Sequence, residues 1–355
     1  MSHLNFLHPL TRILWGSALS LSLATLVPAA AEAASFGRLF VFGDSLSDTG
    51  NTAAVTGGIV PPPILPGIDL STGFFGALPA YTQQRFADEL IWLDFLAPQL
   101  GATSGQNFAF AGATTGFLNT TSPALPGLQQ QIGQYLSLKI PAATDDLFVL
   151  WAGNNDYLEV AGQTDPTVPV SNLESAIRTL AGVGAENFLV VNLPDLGQTP
   201  LVKNRQNAPQ VTGLVEQHNA LLASTLASLD QDPSFDGVDL ISLDVFSLIE
   251  SALVSPGQFG FTNVSDPCLT TSPLFFPPDT KNPPITRCAN PDEYLFWDSL
   301  HPTSKAHQIV ASAALQALDQ APASVPEPSS GVALMVLSGG LALVRTRRQK
   351  KSDVA

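Results

Sequence analysis

The chain has 355 residues, Lys+Arg 15 against Asp+Glu 30, a formal net charge of −15 and two cysteines. Residues 34 to 325 carry 9 basic and 27 acidic side chains, net 9 − 27 = −18, a balance that repels nucleic acid and anionic headgroups. This body of roughly 290 residues suits one α/β domain with large loops, and it contains no internal repeat and no basic stripe.

Residues 1–33 carry Arg12, an uncharged apolar run of 15 residues from Ile13 to Val27, and small residues ending Ala31-Glu32-Ala33. This is the pattern of a secretory signal peptide, too short for a membrane span. Next, Arg38-Leu-Phe-Val-Phe42 reads as a strand buried on both faces and broken by Gly43. Asp44, Ser45, Ser47 and Asp48 follow, small polar residues suited to a strand's C-terminal edge and the cap of the next helix. Ligands of open α/β sheets bind at that edge, so Ser45 stands where a nucleophile is useful. The same residues can equally be a simple turn. A calcium loop fails because Leu46 and Thr49 replace an oxygen ligand and a glycine. The G-x-S-x-G elbow fails at Asp44 and Leu46.

Further strands are expected at Asn107 to Ala111, Asp146 to Trp151, Asn187 to Asn192 and Val238 to Leu243. Helices are expected at Arg85 to Leu100, Leu128 to Leu138, Leu173 to Ala181, Gln210 to Leu229 and Thr303 to Asp319. The alternation is that of βαβ units around a parallel sheet. Two Pro-rich stretches, Gly57 to Gln84 and Val254 to Phe296, read as loops that wall a substrate cleft or as plain insertions. After a linker at Ala321 to Ser324 come Pro326-Glu327-Pro328, 17 uncharged residues from Pro328 to Val344, and a basic cluster ending at Lys351. Seventeen residues is the lower limit for spanning a bilayer, and the basic cluster belongs on its cytoplasmic side, which faces the body outward.

Three of the five histidines lie outside the N-terminal segment. His218 and His307 fall within expected helices and read as surface or satisfied core. His301, in Trp297-Asp-Ser-Leu-His-Pro302, is kept out of helical geometry by its proline. Asp298 is close enough to accept from one ring nitrogen and leave the other to take a proton from Ser45. No third ligand nearby supports a metal site. In Trp151-Ala-Gly-Asn-Asn-Asp156, an asparagine amide can donate to a developing oxyanion, and Gly112 can add a backbone N–H. Taken alone, each is an ordinary turn. Cys268 and Cys288 read as a disulfide in an exported protein, worth on the order of 3 kcal/mol for a loop of about 20 residues, with free thiols as the alternative.

In this order, G-D-S-L, the strand-end glycine, G-x-N-D and D-x-x-H resemble the SGNH/GDSL hydrolase family. Within it the chain looks closest to the secreted lipase/esterase and lecithinase-like branch. The resemblance implies a three-layer α/β/α sandwich around a five-stranded parallel sheet of flavodoxin-like type, over residues 34–320. It makes Ser45 nucleophile, His301 base and Asp298 its orienting acid. The oxyanion hole it implies is the Ser45 and Gly112 N–H groups with the Asn155 side chain. The C-terminal segment, 321–355, resembles a PEP-CTERM sorting signal of exopolysaccharide-producing Gram-negative bacteria. That implies a surface or extracellular protein, anchored transiently and cleaved by an exosortase-type enzyme; a permanent tail anchor is the other reading. The expectation is a secreted serine esterase or lipase acting on a small ester or lipid without cofactor. Carbohydrate deacetylation, acyl transfer and binding without catalysis remain as alternatives.

Overall fold

A computed structural model describes residues 34–56, 84–102, 104–269 and 286–321. Five strands, β1 (Arg38–Gly43), β2 (Ser104–Asn107), β3 (Asp146–Trp151), β4 (Asn187–Val191) and β5 (Asp239–Leu243), form one all-parallel sheet in the order β2-β1-β3-β4-β5. Between them run α1 (Asn51–Thr56), α2 (Trp92–Gln99), α3 (Leu128–Ser137), α4 (Asn154–Tyr157), α5 (Thr167–Ala181) and α6 (Ala208–Asp230). After β5 come α7 (Val245–Val254), α8 (Pro256–Phe259), a short parallel pair β6 (Asn263–Pro267) and β7 (Tyr294–Phe296), and α9 (Ser304–Gln320).

The two-residue period of the strands builds two cores. Leu39, Val41, Leu147, Val149, Leu189 and Val191 join Trp92 and Leu96 of α2, Ile249 of α7 and Val310 of α9 on one face. Phe40, Phe42, Phe148, Leu150, Phe188 and Val190 meet Ile132 and Tyr135 of α3, Leu173 and Ile177 of α5 and Leu222 of α6 on the other. Helices therefore cover both faces, which is why these strands are apolar throughout.

Three expectations change. The second strand lies at Ser104–Asn107, ahead of the apolar Phe108 to Ala111. The reason sits at the end of β1, where the Gln131 side chain accepts from Gly43 N at 2.9 Å and donates to Gly43 O at 2.8 Å. Phe108 N and Phe110 N still donate to Val41 O at 2.7 Å and Gly43 O at 3.2 Å, but the Gly43 N–H goes to this side-chain amide from α3, which ends the regular pairing at Asn107. The helix expected from Arg85 starts only at Trp92, because Asp94 folds back to accept the Ile91 N–H at 3.0 Å and pairs with Arg85. Within Val254 to Phe296, read as loop, α8, β6 and β7 appear; β6 is too polar and exposed to leave an apolar pattern. No helix among the described residues is long and apolar enough to cross a membrane. The N-terminal and C-terminal sorting segments and the loop 57–83 lie outside the described residues.

Candidate active site

Where strand order reverses at β1 and β3, crossovers leave toward opposite faces and open a crevice at the C-terminal edge. Ser45 follows β1 there, Asn155 follows β3, and Gly112 lies five residues beyond β2. His301 comes from the far end of the sequence. The segment 295–303 doubles back as a closed loop, with Trp297 N donating to His301 O at 2.8 Å and Thr303 N to Leu295 O at 3.0 Å. Inside it, Asp298 Oδ1 accepts the Leu300 and His301 N–H groups, both at 2.7 Å. One carboxylate oxygen makes the turn. The other, Oδ2, faces His301 Nδ1 at 2.8 Å, and His301 Nε2 faces Ser45 Oγ at 2.9 Å. All three residues are buried. The Phe86 ring, 5.2 Å from the imidazole centroid, covers one side of His301.

Cys268 and Cys288 are disulfide-bonded. Cys268 N and Leu269 N donate to Phe296 O at 3.0 Å and Trp297 O at 2.7 Å, so the bridge borders the strand that leads into Asp298.

Gly112 has φ +77°, and a Cβ there would run into Thr121, so only glycine fits. Its loop is tied to its neighbours by buried carboxylates. Asp156 accepts Thr115 N at 2.9 Å and Thr115 Oγ1 at 2.8 Å. Asp48, which caps α1 through the N–H groups of Asn51 and Thr52, also takes Ala111 N at 3.2 Å. Burial pushes the Asp156 carboxyl up to about 6 against the pull of Thr115.

Asn155 Nδ2 donates to Ala113 O at 3.1 Å and reaches Asp44 Oδ2 at 3.3 Å; Asn154 Nδ2 reaches the same oxygen at 3.5 Å. Sequence reasoning separated these asparagines and overlooked Asp44, whose carboxylate gathers both amides. Burial raises Asp44 to about 6, opposed by the Leu46 N–H and the Asn154 amide. An acidic residue directly before the serine was the available signal.

Both other histidines are core residues, one of the two readings expected for them, and only His307 departs from a satisfied one. His218 is buried with Nδ1 2.9 Å from Tyr157 Oη, and burial lowers it to about 4. His307 is fully buried with neither ring nitrogen bonded among the described residues, and burial lowers it to about 3. No cluster among the described residues could hold a metal ion.

Beside Ser45 a cleft bordered by α7, α9 and the loop of His301 has about 640 Å³ of empty space, open solvent included. Leu46, Trp151, Leu196 and Val245 are among its apolar walls.

Residues 39–314 match the family model of GDSL-like lipase/acylhydrolases. The chain belongs to this family. Among its relatives, a phosphatidylcholine-sterol acyltransferase of Aeromonas hydrophila is 25% identical over 82% of this chain and 92% of its own length. A thermolabile hemolysin of Vibrio parahaemolyticus is 26% identical over 79% of this chain and 63% of its own. An aryl esterase from M. smegmatis, solved with inhibitor bound, is 18% identical with a TM-score of 0.45, covering 80% of this chain and 99% of that one. As a GDSL family member, the protein is at the general level an ester-hydrolysing enzyme.

Proposed function

We propose that the protein is an exported serine esterase or lipase working through an acyl-serine intermediate. The observation that carries this is the unbroken chain Asp298 Oδ2, His301 Nδ1, His301 Nε2, Ser45 Oγ, with contacts of 2.8 and 2.9 Å, at the head of an apolar cleft.

As Ser45 Oγ attacks the ester carbonyl, His301 Nε2 takes its proton, while Asp298 holds the tautomer with the proton on Nδ1 and stabilises the imidazolium. The carbonyl π electrons move onto oxygen. That oxyanion is received by the Ser45 and Gly112 N–H groups and by Asn155 Nδ2, whose 3.3 Å contact with Asp44 lies beyond good hydrogen-bond range and is the one exchanged. Collapse breaks the bond to the alcohol, which leaves with the proton from His301. Water then attacks the acyl-serine, gives its proton to Nε2, and releases the acid and Ser45.

Ser45→Ala should abolish p-nitrophenyl acetate hydrolysis and fluorophosphonate labelling with the circular dichroism spectrum unchanged; an active variant overturns the mechanism. Acyl transfer to an alcohol in place of water is a second outcome of the same intermediate, favoured by the relative whose name specifies acyl transfer from phosphatidylcholine to sterol. Export and C-terminal sorting rest on the terminal sequence patterns. Mature protein from its host should begin near Ala34 and end near Pro326-Glu327-Pro328 by mass spectrometry; a peptide containing Arg347 in mature protein refutes the cleavage.

A further inference from the structure

The geometry points to Tyr157 and His218 as a pair of positioning residues that hold the Asn155 amide where the oxyanion forms. This rests on the reading of Asn155 as a donor of the oxyanion hole, and it adds which residues fix that donor in place.

Asn155 belongs to α4, a turn of four residues whose side chains are all buried. A helix so short is not stable by itself, so the direction of the Asn155 amide is set by what the turn is anchored to. Three of its side chains bond to the nucleophile turn and to the loop of Gly112. Asn154 and Asn155 reach Asp44, Asn155 also donates to Ala113 O, and Asp156 takes Thr115. Tyr157, the fourth, bonds to α6 instead. Its hydroxyl lies 2.9 Å from His218 Nδ1, and its ring meets the imidazole edge-on, at 90° with centroids 5.7 Å apart.

The same imidazole braces the other end of the turn. Gly153, the residue before α4, has φ +135°, and a Cβ there would lie 3.2 Å from His218 Cε1 and from both Leu193 methyl carbons. Leu193 is held against it by the next residue of α6. Asn219 Oδ1 accepts Leu193 N at 2.9 Å, and Asn219 Nδ2 donates to Leu193 O at 2.8 Å. Two successive residues of α6 therefore grip the turn, one at both of its ends and one through Leu193. The helix itself is anchored in the core by Leu222, Leu226 and Leu229. Burial lowers His218 to about 4, so its ring is neutral near pH 7 and steers Asn155 without adding charge to the site. A donor stabilises an oxyanion most when it is already aimed as charge develops, so loosening this anchor raises the barrier and spares ground-state binding.

The test measures kcat and KM for p-nitrophenyl butyrate with Tyr157→Phe, which keeps the ring and removes the hydroxyl, with Asn155→Ala, and with both together. Tyr157→Phe should lower kcat by roughly tenfold with KM little moved, less than the roughly 10² to 10³ for losing the amide itself. In the double variant the Tyr157 change should cost nothing more, because the amide it positions is gone. His218→Asn, whose amide can stand in for Nδ1, should keep more activity than His218→Leu, and this pair carries the comparison if Tyr157→Phe fails to fold. A lowered melting temperature with unchanged kcat in Tyr157→Phe, or equal kcat in the two His218 variants, would make the pair purely structural and overturn the inference. A tenfold loss repeated in full on top of Asn155→Ala would overturn it by placing the effect elsewhere. Full kcat in Asn155→Ala would remove the hole assignment and the inference together, while fluorophosphonate labelling reports separately on Ser45.

Discussion

The two faces of the central sheet are packed from different materials. On the side of α3 and α5, Phe40, Phe42, Phe108, Tyr135 and Phe148 lock ring against ring, with centroids 5.1 to 6.0 Å apart. On the side of α2, α7 and α9 the strands present aliphatic residues apart from Trp151, which meets Trp92 edge-on at 5.4 Å, and it is this side that opens into the cleft and receives His301. Aromatic interlock fixes β1 and β3, whose ends carry Ser45 and Asn155. Aliphatic packing on the opposite face leaves a channel for substrate. Rigidity and access are thus divided between the faces.

Mutation of each face should fail differently. Phe148→Ala, removing a fully buried ring that touches three other aromatics, should cost about 3 to 5 kcal/mol of stability by thermal or denaturant unfolding. Substrate preference in its folded fraction should be unchanged; an altered preference would show that the faces are not independent. At the strand edge, Asn155→Ala should lower kcat by roughly 10² to 10³ with KM little moved, because the donor acts on charge that exists only in the transition state. Asn154→Ala should lose less, and a larger loss there would place the hole on the wrong amide. Because Asn154 also reaches Asp44, it is a graded comparison and not an inert control.

On the cleft face, reducing Cys268–Cys288 should remove on the order of 3 kcal/mol and lower kcat as well, since the bridge borders the strand entering Asp298. A lower melting temperature with unchanged kcat would separate the bridge from the catalytic loop. The remaining effect appears only at acid pH. His307 titrates at about 3 in the folded protein against an ordinary 6.5, so the unfolded chain binds more protons between those values. Its destabilising contribution therefore appears as pH falls below 6.5 and is complete below about 3. His307→Leu should make the melting temperature less acid-sensitive in that window, and an unchanged pH profile would contradict it.

Four of the five sheet strands were legible: β1, β3 and β4 as apolar runs under helices on both faces, and β5, a half-buried edge strand, from Leu240, Ile241 and Leu243. The edge strand beside β1 was not: Ser104–Asn107 is polar and largely exposed, and of the apolar residues that imitated it, Phe108, Ala109 and Ala111 are buried. The triad positions could be read because Asp298 and His301 are neighbours in the chain and their turn is local. Asp44, Asp48 and Asp156 were obscure for the opposite reason. Each works through backbone or amide groups contributed by distant loops, and an aspartate in a turn looks the same in sequence whether it faces water or a buried N–H.

The amide of Gln131 gives the sheet an unusual division of labour. The Gly43 N–H is received by a helix side chain, while Asn107 at the end of the outer strand donates to Ser47 O at 2.7 Å and Thr49 Oγ1 at 3.0 Å, so the turn of Ser45 is held by helix and outer strand together. A shift of the outer strand is therefore felt at Ser45 through Asn107.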